Sequence, residues 1–221
     1  MDHSLYPVTA LTDEKILLGA GELSKIDPDL ARIYEQLGAP PLWGRAPGFP
    51  TLIHIILEQQ VSLASAQAAF DKLLAAASPL TPQRFLELDD VELKKIGFSR
   101  QKTGYSRGLA RNILEGQLDL DALINRDDDD VRQELLQIKG VGHWSADIYL
   151  LMALLRPDVW PSGDLALATA VKKVKQLESI PSPEQLEKMS QPWRPWRAVA
   201  ARMFWHFYLS TPKRTNRPSE G

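Results

Sequence analysis

The chain has 221 residues, 26 Lys plus Arg against 28 Asp plus Glu, 44% hydrophobic residues and no cysteine. This profile fits an ordinary globular protein and excludes the disordered, collagenous and disulfide-stapled classes. Without cysteine there is no thiolate zinc site, no Cys-ligated iron–sulfur cluster and no Cys nucleophile, and a net charge of −2 excludes a global basic field, so any nucleic-acid contact has to be local.

Residues 1–10 show no charged-then-apolar signal pattern, and no stretch approaches the ~20 apolar residues of a membrane span. The expectation is a cytoplasmic chain that is not secreted and has no membrane partner. Residues 1–49 read as an N-terminal helical segment packing with the C-terminal lobe. The linker-like stretch Gly38 to Pro50, with Pro40, Pro41, Pro47 and Gly48, leads out of it. From Pro50 to Leu209 the apolar residues recur at helical spacing and strand-like runs are nearly absent, which predicts an all-α chain of about ten short helices. The division expected is a central helical bundle over 50–155, a C-terminal helical part over 156–211 and a flexible tail over 212–221.

Within the bundle, Leu52 to Glu58 reads as a buried helix, and Ser62 offers an N-cap for the Ala-rich run Leu63 to Ala77. Gln59 and Gln60 then lie between two helices. His54, on an apolar helix face, reads as a core histidine. Asp127 to Asp130 reads as an N-cap plus first-turn acids for the helix Val131 to Gln137, in preference to a metal site. The four His are scattered and offer no metal-ligand spacing.

Lys139-Gly140-Val141-Gly142-His143 joins an apolar helix end to an Ala-containing helix start. The two glycines permit a tight turn whose backbone N–H groups, with the positive end of the next helix, face outward toward an anion. A phosphate held this way is held without sequence readout. The competing reading is a plain αα-hairpin with a glycine C-cap. Farther on, Asp164 follows Pro161-Ser162-Gly163 and precedes the helical run Leu165 to Lys175, so it sits at a helix N-terminus, where an Asp is first of all a cap.

These residues carry a family resemblance. Ile138-Lys139-Gly140-Val141-Gly142, followed by Trp144 and by Asp164 twenty residues later, resembles the helix-hairpin-helix DNA glycosylases. Within them the chain is similar to the 3-methyladenine DNA glycosylase II (AlkA-like) branch in its compact form, without an N-terminal β domain. The strings Ile56-Leu57-Glu58-Gln59-Gln60-Val61-Ser62, Gly163-Asp164 and Trp193-Arg194-Pro195-Trp196-Arg197 followed by Trp205 extend it over roughly Pro50 to Leu209. The resemblance implies two helical lobes with the active-site cleft between them.

It also implies excision of alkylated purines from double-stranded DNA by a monomeric enzyme of the nucleoid or nucleus. Asp164 would be the catalytic carboxylate, stabilising positive charge on the deoxyribose and orienting or deprotonating water. Trp144 and Trp205 match the aromatics of the base pocket. Tyr149 either lines that pocket or belongs to the core. Gln60 matches the side chain inserted where the flipped nucleotide was; Gln59 beside it is a wedge or a helix cap. Lys139, Gly140, Val141, Gly142 and His143 would hold the DNA backbone. Main-chain carbonyls of Leu136, Ile138 and Val141 would take a monovalent cation, Na+ or K+, and no other cofactor is expected.

Lyase-competent relatives such as endonuclease III place a nucleophilic lysine where this chain has Trp144. An indole forms no Schiff base, so a monofunctional glycosylase is expected. Trp193 and Trp196 read as packing aromatics. Ser99 would cap a helix whose Arg100, Lys102, Arg107 and Arg111 either touch the DNA backbone or form a solvated face. Glu58 departs from the small residue the family often has there. Two rival readings stand beside the enzyme: a non-catalytic hairpin module that binds DNA, and a glycosylase for another damaged or mismatched base.

Overall fold

The computed structural model describes residues 10–210; the tail proposed for 212–221 lies outside them. The described residues are helical and contain no strand. They form two compact units, one over 43–159 and one combining 11–42 with the chain from 160 onward.

In chain order, α1 (Asp13–Ile26) opens on Thr12, whose side chain accepts the Lys15 N–H. It ends at Asp27, which caps α2 (Pro28–Leu37) by accepting the N–H groups of Asp29 and Leu30. The unit over 43–159 holds α3 (Phe49–Glu58), α4 (Leu63–Ala76), α5 (Pro82–Glu87), α6 (Asp90–Ile96), α7 (Arg100–Leu114), α8 (Asp128–Leu136) and α9 (His143–Met152). Then follow α10 (Leu165–Val174), α11 (Pro183–Ser190) and α12 (Arg197–Ser210). That makes twelve α-helices among the described residues where about ten were expected, because Leu88 and Gly97 end two short helices of six and seven residues.

In the first unit α3 is the centre. Leu52, Ile53, Ile55 and Ile56 are fully buried, and the helix is apolar on every side because α4, α7 and α9 pack around it. Two of its three buried polar residues lie side by side. Glu58, 9% exposed, accepts a bidentate pair of bonds from Arg45 at 2.9 and 2.6 Å. His54 stacks on Phe70 with ring centroids 4.2 Å apart, and its Nε2 lies 3.7 Å from Glu58. Burial lowers the His54 pKa, as expected for a core histidine. Asp127 caps α8 through the Asp130 N–H at 2.8 Å, so the acidic run serves the helix start, three residues earlier than expected.

In the second unit α12 packs on α1, α2 and α10. Trp160, Trp193 and Phe204 form an aromatic cluster with centroids 5.2 to 6.3 Å apart, which makes Trp193 a packing aromatic; the Trp196 ring lies against Gly19. The Trp193 indole donates to Asp27 Oδ2 at 2.8 Å, and Lys175 Nζ reaches both Asp27 oxygens at 2.7 Å. Burial opposes the Asp27 charge, but the hydrogen bonds from Lys175 and Trp193 outweigh it and hold the carboxyl below its ordinary value of 3.8.

Asp27→Ala removes the α2 cap and an acceptor from two donors, and is expected to cost about 2–4 kcal/mol near neutrality. A carboxyl with a lowered folded pKa stabilises above its unfolded value and loses that contribution as pH falls through the folded one. Urea midpoints of wild type and variant should therefore converge in acid; a gap that widens in acid would contradict this account.

Candidate functional site

In the first unit the turn between α8 and α9 has the expected shape, but its glycines are not equivalent. Gly140 has φ +95°, and a Cβ there would lie 2.2 Å from the Tyr105 ring of α7. Only glycine satisfies both conditions. Gly142 has φ −100° and open space around its missing Cβ. It is therefore not required by turn geometry. What it does is leave the exposed start of α9 without a capping side chain, so the first-turn amides and the positive helix end are presented outward. Lys139, Gly142 and His143 are exposed around this turn, whereas Val141 is buried and its N–H is spent on the Ile138 carbonyl at 2.9 Å. Val141 is thereby reassigned from backbone contact to support of the turn.

Gln59 is also reassigned. It ends α3, and its amide nitrogen donates to the Gly140 carbonyl at 2.8 Å and to Ser145 Oγ at 2.9 Å. That amide braces the hairpin and is unavailable as a wedge. Gln60 is exposed and has φ +58°, a conformation uncommon for a non-glycine residue. Tyr149 belongs to the core: it is fully buried, and its hydroxyl accepts the Gly48 N–H at 3.0 Å. Trp144, the second residue of α9, is half-buried.

The two readings of the α7 cations separate residue by residue. Lys102 donates to the Leu57 and Gln59 carbonyls at 2.7 and 2.8 Å, and Arg107 to Leu88 O and Asp90, each at 2.8 Å. Both are half-buried and spend donors on the protein itself, while Arg100 and Arg111 are exposed. Lys102 and Tyr105 are the residues of this region that sequence reasoning missed as supports. The Lys sits between arginines on a polar helix, and no local signal tells an inward cation from a solvated one. Glu58, expected as a departure near the wedge, faces inward to Arg45.

In the second unit Asp164 caps α10. Its Oδ1 accepts the Leu167 N–H at 2.7 Å and the Trp205 indole N–H at 3.2 Å. The structure thus brings together two residues 41 positions apart that the sequence marked separately. Two fixed donors on one oxygen set the orientation of the carboxylate, and Trp205, 9% exposed, offers only part of its ring to anything else. Asp164 is half-buried and Leu165 beside it is 70% exposed, so the head of α10 lies at the surface of its unit.

The sequence pattern of the HhH-GPD superfamily base excision DNA repair proteins matches residues 53–195, a range that contains both the hairpin and Asp164. The chain belongs to this superfamily.

Among its relatives, DNA-3-methyladenine glycosylase 1 of Schizosaccharomyces pombe is 25% identical over 205 residues, covering 90% of this chain and 88% of its own. DNA-3-methyladenine glycosylase of Bacillus subtilis is 26% identical over 200 residues, covering 79% of this chain and 66% of its own. The chain spans about half the length of another Bacillus subtilis relative, 56%.

Among solved structures, the Schizosaccharomyces pombe 3-methyladenine DNA glycosylase in complex with abasic DNA superposes with a TM-score of 0.76 at 23% identity. It covers 85% of this chain and 95% of its own. A DNA-3-methyladenine glycosidase from Bacillus halodurans gives 0.73 at 25% identity, covering 87% and 89%. These likenesses are of the fold. The chain is thus an all-α member of the helix-hairpin-helix glycosylase fold. Among the described residues no helix is long and apolar enough to cross a membrane.

Proposed function

We propose that the chain is a monofunctional DNA glycosylase of base excision repair that hydrolyses the N-glycosidic bond of alkylated purines in double-stranded DNA. The observation that carries this reading is the Asp164 carboxylate, oriented by the Leu167 amide and the Trp205 indole, in a superfamily of base excision repair proteins. The names of relatives across bacteria and yeasts support 3-methyladenine as substrate. A chain that only bound DNA would gain nothing from a fixed carboxylate, which repels phosphate.

In the mechanism that follows, the base leaves with the electron pair of its C1′–N bond, and positive charge develops on the sugar. The Asp164 carboxylate stabilises that charge and accepts a proton from the water that adds to C1′. Alkylated purines are cationic or electron-poor, and the faces of Trp144 and Trp205 suit them. The amides at the start of α9, with Lys139 and His143 beside them, hold a phosphate. The carbonyls of Leu136, Ile138 and Val141 would hold Na+ or K+, which would supply positive charge to the phosphate-binding turn. Gln60 enters the space left by the flipped nucleotide, and its amide suits a hydrogen bond to the orphaned partner base. The enzyme acts as a monomer and works in the nucleoid or nucleus, where its substrate is.

Trp144 supplies no amine for a Schiff base, so water is the nucleophile. Incubated with methylated duplex, the protein is expected to release free 3-methyladenine and to leave intact strands that break only after alkali. Strand breaks before alkali, or an adduct trapped by borohydride, would overturn the monofunctional assignment. Duplex binding with no released base would overturn the enzymatic one.

A further inference from the structure

Helix α3 ends at Glu58 with no basic residue in its own last turn, and the Gln59 N–H reaches only the Ile56 carbonyl, at 3.4 Å, so the Leu57 carbonyl has neither an intrahelical donor nor a local cation. The missing charge comes from another helix. Lys102, in the first turn of α7, places its ammonium 2.7 Å from the Leu57 carbonyl and 2.8 Å from that of Gln59. Gln59 in turn donates to Gly140 O and Ser145 Oγ, one atom on the hairpin turn and one in the first turn of α9. The same helix α7 presents Tyr105 against Gly140. Between the carbonyls that Lys102 holds and the N-cap Ser62 lies Gln60 with φ +58°, a conformation that persists only where its surroundings over-determine it.

We propose that Lys102 is a positioning residue: by holding the Leu57 and Gln59 carbonyls it fixes the turn that presents Gln60 and ties that turn, through the Gln59 amide, to the phosphate-binding hairpin. Wedge and hairpin are then one rigid edge. Insertion of Gln60 keeps register with the phosphate held at α9, and the duplex cannot be gripped at one point while the other yields. Burial of the ammonium lowers the Lys102 pKa, which fits a cation placed for its bonds to protein and not for contact with solvent phosphate. The inference rests on the glycosylase reading for its consequence, though not for its geometry.

The test uses the full-length protein with Lys102→Met, which keeps the stem and removes the donors, and Lys102→Arg, which restores donors to the carbonyls. Amide hydrogen exchange needs no DNA. Lys102→Met is expected to speed exchange both at 57–62 and at 138–146, with α12 unchanged and with partial recovery in Lys102→Arg. Faster exchange at 57–62 alone would overturn the link to the hairpin. On 3-methyladenine duplex, the single-turnover excision rate should fall about tenfold, the loss expected for a charge-assisted bond, with a smaller change in the Kd for undamaged duplex. An undiminished rate in a variant with faster exchange would overturn the positioning role.

If Lys102→Met does not fold, Gln59→Met replaces it. It leaves both carbonyls for Lys102 and should speed exchange at 138–146; no change there overturns the proposal. Absence of excision by wild type would instead sink the glycosylase reading, and the exchange experiment would still decide the coupling.

Discussion

Asp164→Asn is expected to lower single-turnover base release by about 10²-fold or more while the protein stays folded and bound to damaged duplex. The cap and the catalytic group are separable roles of one side chain. As a cap, the residue needs only an oxygen for the Leu167 N–H at 2.7 Å, and Asn serves as well as Asp. Its carbonyl oxygen can also keep the Trp205 indole, now at 3.2 Å. What is lost is the negative charge opposite the sugar and the ability to take a proton from water. Binding should be unchanged or slightly tighter, since a carboxylate near phosphates is repulsive. The measurement is rapid-quench release from methylated duplex beside fluorescence anisotropy on the same DNA. Full activity in Asp164→Asn would remove the catalytic assignment and leave Asp164 as a cap alone.

Gly140→Ala is expected to be the most damaging small substitution in the hairpin. A φ of +95° costs an L-residue about 1–2 kcal/mol, and a Cβ placed 2.2 Å from the Tyr105 ring adds about 1–3 kcal/mol of overpacking. Tm should fall by ~5–15 °C for a chain of this size, and duplex affinity should fall with it as the turn opens. Gly142→Ala is the matched control. Its φ of −100° suits any residue and its Cβ would meet open space, so about 1 kcal/mol or less is expected. Differential scanning and salt-dependent DNA binding on the pair would check both. Equal losses in the two variants would mean that the turn tolerates Tyr105 moving and that the glycine pattern serves something else.

The helix starts, the all-α class, the hairpin and the placement of Asp164 at the head of α10 are legible in the amino-acid sequence alone. They are local properties: a period of 3.6, a Ser, Thr or Asp before an apolar run, a Gly where φ turns positive. Ser62, Ser99, Asp127 and Asp164, each read as a cap in the sequence, all cap the helix that follows them, because a cap and its partner lie within three residues. Where polar side chains spend their donors at long range is a different matter. Gln59 reaches Gly140 across 81 residues, Lys102 reaches Leu57 across 45, and Tyr149 receives Gly48 across 101. No period or neighbour encodes those separations. Two adjacent glutamines look alike in the chain, and only the packed helices separate the one that braces the hairpin from the one that stands exposed beside it, since a buried donor must find an acceptor wherever the fold supplies one.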